Sequence, residues 1–463
     1  MNAVISFSDI LASFSRAWRS RNTDQCILSF ALPIQGLDPL SDLPILAKDQ
    51  SFRFLWDLSS TDSFAASGQC EYLELNGAKR FELAQKFNDA TFERLLDASP
   101  EAPKEANARI LYSFSFFENL SERYHEKRIP PVLQAVLPRF QLTRHGQICW
   151  LRINGEVTNA ADGRELAEKI CLLAKQLSDH CDAVKNFISL PEILGISVGQ
   201  SWETSYQPVL RKGIDLVNNG ELEKIVLAVR QSILLQEPLD PLSILFKLRD
   251  QQKGTCRFLW QNNQNDCFFG ASPERLLSFK DNYLFTDALA GTCISSIEAR
   301  YNLFQSEKDR REHQFVVSTI VEKLLSQGFK PRYLLDPKLS RFGNICHLHT
   351  PISSRVNHQK PILVLNALHP TPAVAGLPLK QAVNWIRTLE PFERGRYASP
   401  IGWVSSSGES EFRVAIRCGS TNGKYLNLIA GAGLVKGSEE ESEMEEVALK
   451  LGVLADQFRL ITN

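Results

Sequence analysis

The sequence predicts an α+β fold, and three observations carry that expectation. Short apolar strands are interspersed with charged, helix-patterned stretches along residues 1–185. From about residue 205, helices alternate with strands across turns dense in Gly, Pro and Arg. Several strands alternate apolar with polar residues, as antiparallel sheets packed on one face do. Regular βαβ repetition is missing, and so are the GxGxxG and GxxxxGK(S/T) phosphate loops.

Taken in order, Ile10, Leu11, Phe14 and Trp18 have helical spacing behind a candidate cap at Ser8, which predicts a docked helix. The serines and arginines around it resemble a transit peptide only faintly, because an apolar core and cleavage site are missing. Phe52–Trp56, Ile110–Phe117 and Ile148–Ile153 read as strands. Gly163–Leu177 reads as a helix with Leu166, Ile170, Leu173 and Leu177 on one face. The segment 186–205 reads as a seam between residues 1–190 and residues 200–463. In strand Glu223–Gln231, Lys224, Val226, Ala228 and Arg230 alternate with Ile225, Leu227 and Val229. In strand Glu411–Cys418, Arg413, Ala415 and Arg417 alternate with Phe412, Val414 and Ile416. One side packs a core; for a single strand the other is expected to face solvent, with a cleft as the alternative.

With 463 residues, 43% of them hydrophobic, the chain can bury a sizeable core. A formal charge of −1 leaves no basic excess for nucleic acid or an anionic membrane. The ten cysteines are scattered without a CxxC pair and read as reduced thiols of a cytoplasmic protein. No uninterrupted apolar run reaches membrane-spanning length. With no heptad or interface stripe, the chain is expected to act as a monomer.

The segment GAGLVKGSEEESEMEEVALKL, residues 431–451, is the richest in chemistry. A glycine turn is expected after the apolar strand carrying Tyr425, Leu426, Leu428 and Ile429, and a glutamate-rich helix after the turn. Glu443, Glu446 and Lys450 fall at i, i+3 and i+7, on one helix face. Two carboxylates and an ammonium beside free backbone N–H groups can hold a hard divalent cation and an anionic ligand together. Acidic residues also favour helix N-termini through the dipole, so this segment alone leaves a solvated helix start open.

Further segments join it in order: EKIVLAVR (223–230), FGASPERLL (269–277), ALAGT (288–292), KDRREH (308–313), LHPTPAVAGLP (368–378) and EPFERGRYASPIGW (390–403). Together they resemble the chorismate-utilising enzymes, a family that includes anthranilate, aminodeoxychorismate, isochorismate and salicylate synthases. The resemblance covers roughly residues 200–460; residues 1–190 match the part that varies in the family and packs around the catalytic region. It implies a large two-layer sandwich of antiparallel sheets, helices outside and the active site between the layers. It also implies Mg²⁺ and chorismate as the small-molecule substrate.

Carried over residue by residue, Glu312 and Glu446 match the metal-binding carboxylates, with Glu443 beside them. Arg417 matches a clamp for one substrate carboxylate, which a guanidinium fork suits. Tyr397 would add a hydroxyl, Gly431, Ala432 and Gly433 backbone N–H groups, and Lys450 a balancing charge. Ala290, Gly291, Thr292, His347, Thr350 and Ala373 match substrate-facing positions.

Three of these matches select a branch of the family. Lys224 stands where water-using members carry lysine and ammonia-using members glutamine; attacking water needs a base, ammonia does not. Ala290 stands where aminodeoxychorismate synthase carries a nucleophilic lysine. Ala373 stands where salicylate synthases tend to carry the threonine that helps eliminate pyruvate. Glu274 matches the general acid for the departing C4 hydroxyl, which requires a raised pKa. The resemblance therefore implies reversible isochorismate formation, with no amidotransferase subunit. The alternatives are salicylate synthase, the large subunit of an aminating enzyme, or a non-catalytic chorismate-binding module.

Overall fold

The computed structural model describes residues 6–21, 25–119, 131–181 and 194–460. Among these, two sheets of 14 and nine strands share one apolar core. Phe64 of the larger sheet meets Trp403 of the smaller edge-on, ring centroids 6.0 Å apart. Neighbouring strands are antiparallel except for two short parallel pairings. The α+β expectation and the sandwich of antiparallel sheets both hold.

Both sheets run from strands of the second half of the chain into strands of the first. In the larger, Arg257–Gln261 pair with Arg53–Asp57. In the smaller, Ile401–Ser405 pair with Arg109–Ser113. Residues 186–193 of the expected seam lie outside the described residues. No helix among the described residues is long and apolar enough to cross a membrane.

The local patterns explain most elements. Helix Phe7–Arg19 buries Ile10, Phe14 and Ala17, but its cap is Ser6, not Ser8. Ser6 and Asp9 exchange hydrogen bonds as a capping box, satisfying two end N–H groups reciprocally. Helix Ala160–Cys181 buries Leu166, Ile170, Leu173 and Leu177 as its spacing predicts. Helix Glu307–Ser326 is capped by Ser306, which puts Glu312 in its second turn.

Three expectations change at the strands that build the site. Strand Lys224–Leu235 is buried on both faces along its first six residues, so its polar side does not face solvent: Val226 and Arg230 line clefts, and Lys224 is buried behind the lining. The expected strand Glu411–Cys418 is two strands: Ser410–Val414 in the smaller sheet and Cys418–Asn422 in the larger. Between them Arg417 takes a left-handed φ of 50°, which a β-ladder cannot accommodate. Finally, Gly431, Ala432 and Gly433 are not a turn. Strand Tyr425–Val435 runs straight through them, paired to Ala228, Leu227 and Val226. The turn follows, with Gly437 at φ 90°, and leads into helix Glu440–Ala455.

Candidate active site

The paired strands Lys224–Leu235 and Tyr425–Val435 form one wall of a cavity of about 80 Å³. Val226, Gly431 and Gly433 line it. A Cβ at Gly433 would lie 2.5 Å from Glu312 Oε1 and 3.1 Å from Lys224 Cε, so only glycine leaves room for that pair. Lys224 is fully buried, its Nζ 2.8 Å from Glu312 Oε1.

A second wall comes from strands Tyr283–Ile294 and Ile345–Arg355, where Thr292 pairs with His347. The register shifts between Ala290 and Thr292, and Gly291 there has φ 69°. Such a bulge re-aims side chains locally, and Ala290, Gly291, Thr292 and His347 all line the cavity. Arg417 donates through Nη2 to His347 Nε2 at 2.5 Å. The ring's other nitrogen, Nδ1, therefore carries the proton and donates to the Gly291 carbonyl at 2.9 Å. Burial, then the Arg417 charge, holds the His347 pKa well below its usual value. A neutral imidazole thus aims the guanidinium, and Arg417 Nη1 is left buried without a hydrogen-bond partner. Such an orphaned cationic donor suits an incoming carboxylate.

Glu274 lies between strands Asp266–Ser272 and Arg275–Lys280, 3% exposed. Its neighbour Arg275 pairs with Asp287 at 3.0 Å, leaving Glu274 without that partner. Its Oε1 makes no hydrogen bond. Burial pushes its carboxyl up to about 8, with help from Asp287 and against Lys224, Lys450 and Arg417.

The other carboxylates each meet a lysine. Glu446 pairs with Lys450 at 2.5 Å and Glu443 with Lys308 at 2.6 Å. Lys450 also donates to the Gly431 carbonyl at 2.9 Å. Burial would raise the Glu312 pKa, but Lys224, Lys308 and Lys450 outweigh it and hold it below its usual value. Glu443 is pushed up to about 7 by burial and then by Glu446. Among the described residues no three His, Cys, Asp or Glu side chains converge as a closed metal cluster. Glu312 and Glu446 do line the same cavity as hard oxygen donors, and Glu443 stands behind them, turned to Lys308.

Glu274, Ala373, Tyr397, Arg417 and Lys450 complete the cavity wall. Burial holds the Tyr397 phenol well above its usual pKa, so it remains a hydroxyl. Two expected substrate contacts do not line the cavity. Thr350 is three strand positions from His347 and so on the opposite face, where it meets His313 Nε2 at 2.8 Å. Ala432 points away from the face of Gly431 and Gly433 for the same reason. Sequence reasoning missed the apolar lining: Val226, Leu289, Val374 and Ile416. Val226 shares the face of Lys224 and was findable by alternation; the others look like core. It also missed Lys308, although KDRREH contains it. A larger cavity of about 310 Å³ continues along the same face past Arg230, Asn427 and Ile429, with Tyr397 lining both.

A buried, proton-holding carboxyl, a lysine, an anion-seeking guanidinium and a two-carboxylate wall make this a site for chemistry on an anionic molecule. The family model for chorismate binding enzymes matches residues 12–459, and the chain belongs to that family. Isochorismate synthase MenF of Bacillus subtilis is 28% identical over 444 residues, 92% of each chain. The salicylate biosynthesis isochorismate synthase of Pseudomonas aeruginosa is 36% identical over 269 residues, 57% of this chain and 55% of that protein. Among solved structures, the menaquinone-specific isochorismate synthase MenF of Escherichia coli superposes with a TM-score of 0.75 at 24% identity, covering 97% of this chain and 99% of that one. Anthranilate synthase component I of Streptococcus pneumoniae also shares the fold, with a TM-score of 0.63 at 17% identity over 94% of this chain and 92% of that one. The fold is therefore common to both branches, and a choice between them has to come from the site.

Proposed function

We propose that this chain converts chorismate reversibly to isochorismate. The carrying observation is Glu274: a carboxyl with no partner for Oε1, held protonated up to about 8, inside the cavity of Arg417. Such a group can protonate a hydroxyl as it leaves, which removes the barrier to expelling hydroxide. In this reading Arg417 clamps a substrate carboxylate, Tyr397 donates its hydroxyl, and Glu274 gives its proton to the oxygen departing from C4. Lys224, as the neutral amine left when Glu312 turns from it and its extra proton has passed to solvent, takes a proton from the water that attacks C2. One water enters and one leaves, so the net change is an isomerisation, and each group serves in the opposite role for the return. Glu312 and Glu446 would hold Mg²⁺, with Glu443 supporting them; few protein carboxylates plus a ligand carboxylate and waters suit that ion. Bound there, Mg²⁺ would balance the negative charge of the substrate.

Lysine at 224 supports water over ammonia as nucleophile, and alanine at 290 leaves no amine for a covalent intermediate. The protein is read as working alone in the cytoplasm, without an amidotransferase. The test is purified protein with chorismate and Mg²⁺, products separated by chromatography. Isochorismate without pyruvate is expected, with ammonium present or not. Efficient formation of a 2-amino product would overturn the reading, and stoichiometric pyruvate would move it to salicylate synthase.

A further inference from the structure

Glu390 and Arg394 form an ion pair shut off from solvent, with side chains 1% and 0% exposed. Arg394 donates through Nε to Glu390 Oε2 at 2.8 Å and through Nη2 to Oε1 at 2.5 Å. Its other bonds go to the backbone: Nη1 to the Val374 carbonyl and Nη2 to the Val226 carbonyl, both at 2.8 Å. Glu390 Oε1 accepts from the Ala228 N–H at 2.8 Å. Val226 and Val374 both line the catalytic cavity. They belong to different walls: Val226 to the strand that carries Lys224, Val374 to the loop that carries Ala373. The pair thus ties two walls together from behind, next to a direct bond from the Val226 N–H to the Ala375 carbonyl at 2.9 Å.

The first half of the chain covers this joint. The Phe116 ring lies over the Arg394 guanidinium, 4.4 Å from its centroid, and meets His369 edge-on at 5.7 Å. The Phe116 N–H donates to the Gly395 carbonyl at 2.7 Å. Arg80 holds the segment by donating to the carbonyls of Ser115, Phe116 and Phe117 at 2.5, 3.2 and 2.7 Å.

Stability alone does not call for such a pair. Two desolvated charges are often replaced by apolar groups of similar volume without loss of fold. What an apolar pair cannot do is bond three backbone groups on two walls at fixed spacing. We propose that Arg394 and Glu390 are positioning residues, which set the distance between the Lys224 strand and the Ala373–Val374 wall, and that Phe116 keeps water from them. This rests on reading the cavity as the catalytic site.

The test compares wild type with a Glu390→Leu/Arg394→Met double variant, Arg394→Lys and Phe116→Leu. Measured are kcat, KM, thermal melting and pyruvate released per chorismate consumed. The double variant is expected to fold and bind chorismate, with kcat down ~100-fold and KM changed far less, as misplacement of reacting groups by about 1 Å would do. Arg394→Lys keeps the charge but not the fork and should fall between, as should Phe116→Leu. Some pyruvate release is expected as the Ala373–Val374 wall loosens. A folded double variant with kcat within about twofold of wild type, the effect of a neutral packing change, would overturn the proposal. If the double variant does not fold, Arg394→Lys and Phe116→Leu decide by the same criterion. Wild type run alongside separates the two ideas. A different wild-type product would overturn the reaction assigned above, while the wall spacing is judged on turnover to that product.

Discussion

Glu274 and the carboxylates of the opposite wall share one cavity but not one environment. Glu312 and Glu446 each lie within 2.8 Å of a lysine amine. Glu274 has no ion pair at that distance among the described residues, and one of its oxygens has no hydrogen bond. The lysines keep Glu312 ionised at neutral pH, while burial keeps Glu274 protonated. The comparison teaches that surroundings, not residue type, separate Glu312, which carries charge, from Glu274, which carries a proton.

The largest break in that comparison comes at the charged wall. Glu446→Gln or Glu312→Gln is expected to abolish nearly all turnover, since each removes a charged oxygen donor from a site with few of them. Excess chelator should do the same to wild type, and full activity in chelator would sink the magnesium assignment.

Next in size is the proton side. Glu274→Gln and Lys224→Ala should each lose at least ~100-fold in turnover, the usual worth of a positioned acid or base. Wild-type turnover should fall as pH rises through about 8, because only the protonated Glu274 can donate. Stability follows the same group. Its folded pKa of about 8 exceeds the ordinary 4.5, so its contribution is complete below 4.5 and lost as pH rises to about 8. The melting temperature of Glu274→Gln should therefore gain on wild type across that window. A gap that stays constant with pH would refute the buried-acid assignment.

The smallest effect is expected behind the clamp. His347→Ala removes the acceptor that aims Arg417, and KM for chorismate should rise ~10-fold, the lower end for a hydrogen bond to a charged group. His347→Gln, whose amide oxygen can accept, should restore part of it. An unchanged KM in the alanine variant would show that the guanidinium needs no guide.

Much of this was legible from side-chain chemistry in order along the chain. Lys224 and Arg417 are polar residues inside apolar alternation, while Glu274, Glu312, Glu446 and Lys450 stand in motifs that recur in a set order along the chain. Three things were hidden for physical reasons. The cover over the Lys224 strand comes from distant segments, so alternation alone could not tell cleft from solvent. The glycines at 431 and 433 read as a turn because glycine usually marks one, whereas here Gly433 makes space beside Glu312 and Gly431 lets the backbone of Leu227 and Ala228 come close. The left-handed residue at 417 is an arginine, which carries no local mark of a chain leaving one sheet for another. Apolar lining such as Leu289 and Ile416 cannot be told from core by composition, and Thr350 was misplaced by one face of a strand.

The crossing at residues 415–417 has a consequence for heat. Val414 ends a strand of the smaller sheet and Cys418 begins one of the larger, so Arg417 hangs on the short link between two bodies. Any slippage of one sheet against the other displaces the guanidinium before either ladder loses a rung. Warming the protein should therefore cost substrate affinity several degrees before it costs circular dichroism, and cooling should return both together.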